Sequence, residues 1–278
     1  QVICSDKTGT LTQNKMTVVD SYGDDIHLLA QAMALCSDAE LQTNEKGEII
    51  GDAIGEPTEC ALVNYARSLS LNKNELKEKF PRVGEAPFDS MRKMMSTVHD
   101  SEERKIVQYT KGAPDEVIKK CTKVLRNGEV IQLTDTIRQE IFLANKEMAE
   151  QALRVLAAAM KPLDSLPETF EAADLENDLI FLGLTGMIDP IRPEVIPAII
   201  ECRDAGITPV MITGDHKDTA VAIAKQLGII KDASEAVTGS QLNDISDEQF
   251  LKDIEKISVY ARVQPEHKVR IVKTWKKK

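Results

Sequence analysis

The sequence predicts an α/β protein of two domains, in which an α+β domain is inserted into a parallel-sheet domain. The first observation is a short apolar run, Val2-Ile3-Cys4, which ends on Ser5-Asp6 as a buried strand ends on a polar loop. The second is an alternation of strand-like and helix-like segments from residue 179 onward. The third is a middle region whose paired β-type runs are typical of an antiparallel sheet. A chain of 278 residues is long enough for two domains.

The two ends of the chain are assigned to the parallel-sheet domain, over residues 1–19 and 184–278. Its helices are marked by a Pro near the start or a Gly at the end. The working loops of such a sheet lie at the carboxyl ends of its strands. We expect strands at 2–4, 179–187, 207–212 and 258–261, and helices at 193–205, 217–227 and 265–275.

The inserted domain is predicted over residues 20–183. Apolar and polar residues alternate in its short β-type runs, as in a half-buried antiparallel sheet. The segments before and after these runs have apolar residues at helical spacing. We expect helices at 59–66 and 138–159, strands at 93–99 and 105–110 joined by a turn at 100–103, and a turn at Gly128 within 124–133. The acidic stretch 162–178 is expected to be an irregular surface loop.

The negative net charge of the chain argues against polyanionic partners. It has 35 Lys and Arg against 45 Asp and Glu, so its formal net charge is −10. We expect no binding to nucleic acid or anionic lipid, because both carry dense negative charge. A nucleotide is still compatible with this charge, since a local group of cations and backbone N–H groups can hold its phosphates. No stretch approaches the ~18 apolar residues that a membrane-spanning helix needs.

The clearest motif is Cys4-Ser5-Asp6-Lys7-Thr8-Gly9-Thr10-Leu11-Thr12. A carboxylate at the end of a buried strand is ionised at pH 7 and can attack a phosphoryl group without a general base. Gly9 lets backbone N–H groups approach phosphate oxygens, and the threonine hydroxyls add further donors. We therefore expect Asp6 to be a nucleophile toward phosphorus.

This string resembles the phosphorylation motif of the P-type ATPases, which are ion pumps that pass through an aspartyl-phosphate intermediate. The resemblance extends along nearly the whole chain. It implies a haloacid-dehalogenase-like phosphorylation domain with an inserted nucleotide-binding domain. Four further strings carry it: Lys111-Gly112-Ala113-Pro114, Asp189-Pro190-Ile191-Arg192, Thr213-Gly214-Asp215 and Ala261-Arg262-Val263-Gln264-Pro265-Glu266-His267-Lys268.

Several residues are expected to act on the transferred phosphoryl group together with Asp6. Thr213-Gly214-Asp215 follows a second parallel strand, so it should lie beside Asp6 and offer a hydroxyl and backbone N–H groups to the phosphoryl oxygens. Lys268 lies in the first turn of a helix, and its positive charge would offset the negative charge around the attacked phosphorus. The resemblance adds four residues that serve the nucleotide: Thr8, Asp189, Arg192 and Gly214.

The inserted domain is expected to bind ATP. Phe88 resembles the family aromatic that stacks on adenine, although packing in the core is the alternative for this side chain. Glu59 aligns with the acidic residue that accepts a hydrogen bond from the adenine amine, and the alternative is a carboxylate favoured at a helix start. The other nucleotide-binding residues that the resemblance implies are Lys93, Lys111, Gly112 and Arg154.

Magnesium is implied by the chemistry, because Asp6 and the triphosphate are both negatively charged. The ligands that this chain offers are the Asp6 carboxylate and the backbone carbonyl of Thr8. In the family a third ligand comes from a Gly-x-Asn-Asp loop downstream of the lysine helix, and this sequence does not contain it. We therefore expect poor phosphorylation of this chain. Two smaller departures from the family pattern are Ile191 in place of a second Pro and Asp115 in place of Glu.

Two other function classes compete with the pump. One is a soluble haloacid-dehalogenase-type phosphatase with a cap domain, and the other is a nucleotide-binding or regulatory module without chemistry. Soluble phosphatases of this fold usually carry an Asp two residues after the nucleophile for acid–base work. Here that residue is Thr8, which cannot transfer protons at neutral pH, so an acyl phosphate should persist as a pump requires. The sequence therefore favours the pump.

The resemblance also predicts the ion, the partners and the location. Residues 186–195 look like those of calcium-type members, and the sequence lacks the His-Pro pair of heavy-metal pumps. Calcium is expected, with sodium, other cations or protons as alternatives. Both ends look cut from a longer chain, so the actuator and transmembrane domains and the bound cation would lie outside it. The expected location is the cytoplasmic face of a bacterial cell membrane.

Overall fold

The computed structural model describes residues 1–101 and 105–278. Its strands are β1 (Val2–Asp6), β2 (Thr17–Gly23), β3 (Arg82–Asp89), β4 (Met94–Asp100), β5 (Ile106–Gly112), β6 (Cys121–Arg126), β7 (Glu129–Gln132), β8 (Arg154–Leu163), β9 (Leu179–Ile188), β10 (Thr208–Ile212), β11 (Ala236–Thr238) and β12 (Val259–Ala261). Its helices are α1 (Ile26–Leu35), α2 (Pro57–Ser68), α3 (Lys73–Lys79), α4 (Pro114–Lys120), α5 (Asp135–Glu150), α6 (Ala172–Leu175), α7 (Val195–Asp204), α8 (Lys217–Gln226), α9 (Gly239–Asn243), α10 (Asp247–Asp253) and α11 (Pro265–Lys277).

The chain folds into two compact units. Unit 1 comprises Gln1–Lys15 and Asp189–Lys278, and unit 2 comprises Met16–Ile188. Unit 2 is therefore inserted in sequence between the two segments of unit 1. The predicted boundaries, 19/20 and 183/184, fall inside β2 and β9, and both of these strands belong to unit 2.

Unit 1 is built on a four-stranded parallel sheet in the order β1-β10-β12-β11. One apolar cluster packs α7 and α8 against Met211 and Val259, and a second packs Phe250 and Ile271 against Tyr260. Successive strand residues point to opposite faces, so the two clusters cover the two faces, as a parallel sheet requires. The predicted strands at 2–4, 207–212 and 258–261 and all three predicted helices are confirmed within two residues at each end.

Unit 2 is built on a mixed sheet in the order β3-β4-β5-β8-β9-β6-β7, to which β2 adds by pairing with β9. The pairings are antiparallel except for that of β6 with β9. One core cluster includes α1 and α2 side chains with Met95 and Tyr109, and another includes Ile118, Ile141 and Phe181. The α+β prediction for this region is confirmed by its largely antiparallel sheet and its helices.

Two sequence predictions for this region are wrong. The helix expected at 138–159 ends at Glu150, Ala152 takes φ 59°, and the chain continues as β8 between β5 and β9. Burial in a central strand overrides the high helix propensity of its alanines. The strand expected at 179–187 exists as β9, but it pairs with β2, β6 and β8 rather than in the parallel sheet of unit 1. A continuous apolar run indicates burial on both faces and does not say in which sheet.

The predicted hairpin is confirmed by the antiparallel pairing of β4 with β5, while residues 102 and 103 of its predicted turn lie outside the described residues. The turn at Gly128 joins β6 to β7. The expected irregular stretch 162–178 contains the short helix α6 and the buried Glu176. Over residues 1–101 and 105–278, no helix is long and apolar enough to cross a membrane.

Candidate functional site

The carboxyl ends of β1 and β10 place Asp6 and Thr213 side by side in unit 1. Asp6 is the last residue of β1 and pairs with Ile212, so Thr213 follows at the next position. Lys268, in the first turn of α11, brings its Nζ to 2.5 Å from Asp6 Oδ2. The two side chains stay partly exposed, Lys268 by 41% and Asp6 by 46%. The predicted nucleophile and the predicted lysine are therefore in contact and accessible to a ligand.

Thr213-Gly214-Asp215 forms the loop after β10. Thr213 is buried, its backbone N–H donates to the carbonyl of Tyr260 at 2.8 Å, and its hydroxyl accepts from the Asp215 backbone N–H at 3.1 Å. A side chain at Gly214 would meet none of the described atoms within 4 Å, so space is open beside this loop. Asp215 Oδ2 pairs with Lys7 Nζ at 2.5 Å.

Lys7 is a residue that sequence reasoning missed. Its side chain is buried, and a buried ammonium needs a partner, which Asp215 supplies. The pair joins the loop after β1 to the loop after β10. The only signal in the sequence is its position directly after Asp6, and a lysine in a polar loop is ordinarily a solvated surface charge.

Asp189 and Arg192, predicted to serve the nucleotide, fasten the loop that follows Asp6. Asp189 accepts from the Thr12 hydroxyl at 2.5 Å and from the Lys15 backbone N–H at 3.0 Å. Arg192 donates from Nε to the carbonyl of Thr12 and from Nη2 to that of Gly9, each at 3.0 Å. Both side chains thus fix the shape of the loop, and contact with a nucleotide stays a prediction.

The oxygens predicted to bind magnesium lie at the end of β1 and in the loop that follows it. Asp6 and Thr8 are two residues apart, and Gly9 turns the chain with φ 77°. Among the residues that the structure describes, no three His, Cys, Asp or Glu side chains are grouped for a metal. Magnesium does not need such a group, because it is commonly held by one or two carboxylates together with substrate phosphates and water. The donor set therefore fits this ion.

Unit 2 contains a cleft of about 580 Å³. Phe88 is 63% exposed in it, which excludes packing in the core, and Met95 and Leu156 add apolar surface. A cleft with apolar walls and a few converging polar groups is the usual form of a small-molecule site. Five of the residues predicted for the nucleotide line it: Glu59, Phe88, Lys111, Gly112 and Arg154.

Glu59, which is partly exposed, and the buried Lys111 form an ion pair in the wall of this cleft. Lys111 Nζ lies 2.5 Å from Glu59 Oε1, and it also donates to the Ser37 hydroxyl and the Cys36 carbonyl. The other carboxylate oxygen, Glu59 Oε2, accepts from the backbone N–H groups of Asp38 and Ala39. All three ammonium hydrogens of Lys111 are therefore engaged, and its charge is paired inside the wall.

Two more cations, which sequence reasoning missed, hold the segment after α1 that lines the cleft. Lys73, 1% exposed, donates to the carbonyls of Ser37 and Ala39 at 2.7 and 2.5 Å. Arg82 donates to the carbonyls of Leu35 and Ser37 at 2.9 and 2.8 Å. Burial lowers the pKa of Lys73 to about 8. Cations at the carboxyl end of a helix satisfy its last carbonyls, but in the sequence they look like ordinary surface charges.

Arg154 and Lys93 differ in their position relative to the cleft. Arg154 Nη1 donates to the Thr58 hydroxyl at 2.8 Å, on the cleft lining. Lys93 is absent from the described lining, and its Nζ lies 3.8 Å from Glu116 Oε1. The backbone carbonyl of Lys93, however, is very near Gly112. A Cβ at residue 112 would lie 2.4 Å from the Lys93 oxygen. Glycine is required at 112 by this close approach.

Comparison with known proteins shows which family this chain is similar to. A family model described as "P-type ATPase, cytoplasmic domain N" matches residues 25–194. The chain is 44% identical over 287 residues to calcium-transporting ATPase 1 of Lactococcus lactis, a match that covers 99% of this chain and 32% of that protein. It is 45% identical over 291 residues to calcium-transporting ATPase 1 of Bacillus cereus, covering 100% of this chain and 32% of that protein.

A calcium-transporting ATPase of Listeria monocytogenes is 43% identical over 293 residues, again covering 100% of this chain and 32% of that protein. The chain thus spans about a third of the length of the curated relatives it matches. The family predicted from the motifs is confirmed, and the chain belongs to the P-type ATPases.

Proposed function

We propose that this chain is the ATP-binding and phosphorylated part of a cation-transporting P-type ATPase. Unit 1 would be its haloacid-dehalogenase-like phosphorylation domain and unit 2 its nucleotide-binding domain, and the limits of these units lie four or five residues from the predicted boundaries of 1–19, 20–183 and 184–278. The observation that carries the proposal is the contact of Asp6 with Lys268 at the carboxyl end of β1, beside Thr213. A carboxylate so placed is partly exposed and next to a cation.

The proposed reaction is transfer of the γ-phosphoryl group of ATP to Asp6. A carboxylate oxygen forms the new bond to phosphorus while the bond from phosphorus to the β–γ bridging oxygen breaks, and ADP leaves with that oxygen. Lys268 has three N–H donors, so it can hold Asp6 and a phosphoryl oxygen together. The Thr213 hydroxyl and the backbone N–H of Gly214 would bind the other phosphoryl oxygens, while the Asp215 N–H stays bonded to the Thr213 hydroxyl oxygen.

Magnesium would be held by the Asp6 carboxylate and the Thr8 carbonyl. When bound, it supplies positive charge that offsets the repulsion between the triphosphate and the attacking carboxylate. The chain's own part is to keep these two oxygens at the end of β1 and in the loop that follows it, which Asp189 and Arg192 fasten from outside.

The cleft of unit 2 is proposed as the ATP site, with adenine stacked on Phe88. Glu59 keeps one lone pair free for the adenine amine even while paired, because a carboxylate can accept about four hydrogen bonds and Glu59 accepts three. Lys111 holds that carboxylate in place, Arg154 would meet the phosphates, and Gly112 keeps the wall close-packed. Lys93 would reach the phosphates only by leaving its acidic neighbours in α4.

Titration of this chain with ATP, followed by NMR or fluorescence, tests the proposal. We expect saturable binding, and Phe88→Ala should weaken it by roughly 1–3 kcal/mol, which is the range for loss of a base–aromatic stack. Phe142→Ala is the matched control, because Phe142 is 43% exposed in α5 and lies outside the described cleft lining. Equal affinities of Phe88→Ala and wild type would refute stacking on this ring.

Calcium transport is the proposed coupled activity, supported by the names of the relatives. The partners would be the actuator and transmembrane domains of the pump, which bind the cation, and the location would be the cytoplasmic face of a bacterial membrane. The soluble-phosphatase alternative is disfavoured by the same relatives and by Thr8. In a pump containing this chain, calcium rather than sodium should stimulate ATP hydrolysis, and stimulation by sodium alone would contradict the assignment.

A further inference from the structure

We propose that Arg92 and Glu176 are positioning residues for the adenine platform, and that they act on nucleotide binding through Phe88. The inference rests on the proposed ATP site. The two side chains belong to distant parts of unit 2, the turn between β3 and β4 and the residue after α6. Neither is among the described residues that line the cleft.

The backbone around Phe88 departs from a regular ladder. Ala86 pairs with Ser96 and Asp89 with Met94. Between these pairs β3 has two residues, 87 and 88, where β4 has only one, residue 95. Such a β-bulge takes backbone groups out of the ladder and redirects a side chain. Phe88 lies within this bulge, and its ring is exposed in the cleft.

Arg92 supplies a donor that the bulge needs. Its Nη2 donates to the carbonyl of Pro87, next to Phe88, at 2.7 Å. The turn that brings Arg92 back is tight, because Asp89 Oδ1 accepts from the backbone N–H groups of Met91 and Arg92 at 2.9 Å each. These bonds hold the pKa of the Asp89 carboxyl below its ordinary value. Arg92 thus ties the bulge to its own turn.

Glu176 pairs with the Arg92 guanidinium inside the protein. Its side chain is 3% exposed, and Oε1 accepts from Arg92 Nη1 and, at 3.4 Å, from the Ser96 hydroxyl. A carboxylate this deeply buried is stable only with a paired cation, so the guanidinium is kept in one place. Since Glu176 is shielded from solvent and is not among the described residues that line the cleft, its effect on a nucleotide is indirect, and its shortest contact is with Arg92.

The chain of contacts from Glu176 to Arg92 to the Pro87 carbonyl pre-orders the strand that bears the ring. Without it, part of the stacking energy would be spent on ordering the bulge at the moment of binding. We therefore expect Arg92→Ala and Glu176→Gln each to weaken ATP binding roughly threefold to tenfold, within the usual range for coupled neighbours.

A double-mutant cycle separates positioning from direct contact. Binding of ATP is titrated for wild type, Phe88→Ala, Arg92→Ala and the double variant, and the set is repeated with Glu176→Gln in place of Arg92→Ala. If the pair acts through the ring, the second change should have little effect once Phe88 is gone. The control is Arg126→Ala, because Arg126 makes a 2.9 Å ion pair with Glu140 elsewhere in unit 2 and should not alter affinity.

The outcomes are distinct. Weakening by Arg92→Ala that persists in full in the Phe88→Ala background would mean that Arg92 meets the phosphates itself, and it would overturn the inference. So would unchanged affinity of both Arg92→Ala and Glu176→Gln, while the proposed ATP site would stand if Phe88→Ala still weakened binding. Failure of wild type to bind ATP would overturn both. Thermal unfolding of each variant checks that it is folded, and the conservative Glu176→Gln serves if Arg92→Ala does not fold.

Discussion

His99 illustrates, at the scale of a single residue, how burial fixes a protonation state. The ring is 1% exposed in β4. Its Nδ1 lies 2.9 Å from the Phe80 carbonyl, which can only accept, and its Nε2 lies 2.8 Å from the Thr97 hydroxyl. Nδ1 therefore carries the hydrogen and Nε2 accepts. Burial lowers the pKa of His99 to about 4, so the folded protein holds it neutral.

This depressed pKa predicts acid sensitivity. Between pH 6.5 and about 4 the unfolded imidazole binds a proton that the folded one does not, so the free energy of unfolding falls as the pH falls through this window. The loss from this group amounts to about 3 kcal/mol over the whole window. Urea unfolding at pH 7 and pH 4.5 should show a smaller loss for His99→Gln than for wild type. The exposed His27→Gln should behave as wild type, and equal losses in all three would contradict the assignment.

Single residues of the candidate sites were predictable where a motif carried them. Asp6, Thr213 and Lys268 were each placed by a strand end or a helix start, and the structure brings them together. The pairing of Lys111 with Glu59 was not predictable in the same way. It depends on how the fold brings the first turn of α2 to the end of β5, and no local pattern in the sequence reports such a tertiary contact.

At the scale of elements, the segment after α1 depends on cations from three other elements. Lys73 of α3, Arg82 of β3 and Lys111 of β5 together donate to the carbonyls of residues 35–37 and 39. Because Asp38 and Ala39 line the cleft and donate to Glu59, these cations also support the proposed nucleotide site.

Lys73→Met is expected to destabilise the protein by about 1–3 kcal/mol, the cost of leaving a buried acceptor without its donor. Ser37 would keep the bond from Arg82, whereas the Ala39 carbonyl would lose the donor that Lys73 provides. Lys77→Met in the same helix is the control, because Lys77 is half exposed and pairs with Glu40 at the surface. Chemical unfolding measures both. A loss for Lys77→Met as large as that for Lys73→Met would show that burial of the donor is not the cause.

Elements were predictable where periodicity, Pro and Gly agreed, as in α7, α8 and α11 of unit 1. Elements were not predictable where two physical preferences competed. Residues 155–160 are apolar and rich in alanine, so they suit a helix locally, and only the neighbouring strands β5 and β9 make them a strand. β9 was recognised as a strand, but its partners in the sheet are set by the fold rather than by its own residues.

At the scale of the whole molecule, the chain divides its proposed chemistry between two units with separate cores. The proposed nucleotide cleft is lined by residues of unit 2, while Asp6 and Lys268 belong to unit 1, which is itself assembled from two distant segments. Changes at Asp6 should therefore leave ATP binding to the cleft intact, and changes at Phe88 should leave the contact of Asp6 with Lys268 intact.

This division predicts the behaviour of Asp6→Asn. The substitution keeps the shape of the side chain and removes the nucleophilic charge, so any label that the chain acquires from γ-labelled ATP and magnesium should disappear. Such a label should be stable in acid and released by hydroxylamine, as expected of an acyl phosphate. ATP affinity should be unchanged or higher, since one anionic repulsion is removed.

Asp204→Asn is the matched control, because Asp204 is an exposed carboxylate at the end of α7 in the same unit. It should leave both labelling and ATP affinity as in wild type, since its side chain lies at the far end of a surface helix from any proposed ligand oxygen. Acid-quenched labelling followed by mass spectrometry of the modified peptide identifies the residue that carries the phosphate. A hydroxylamine-sensitive label that persists in Asp6→Asn would place the acyl phosphate on another carboxylate, and Asp6 would then not be the nucleophile.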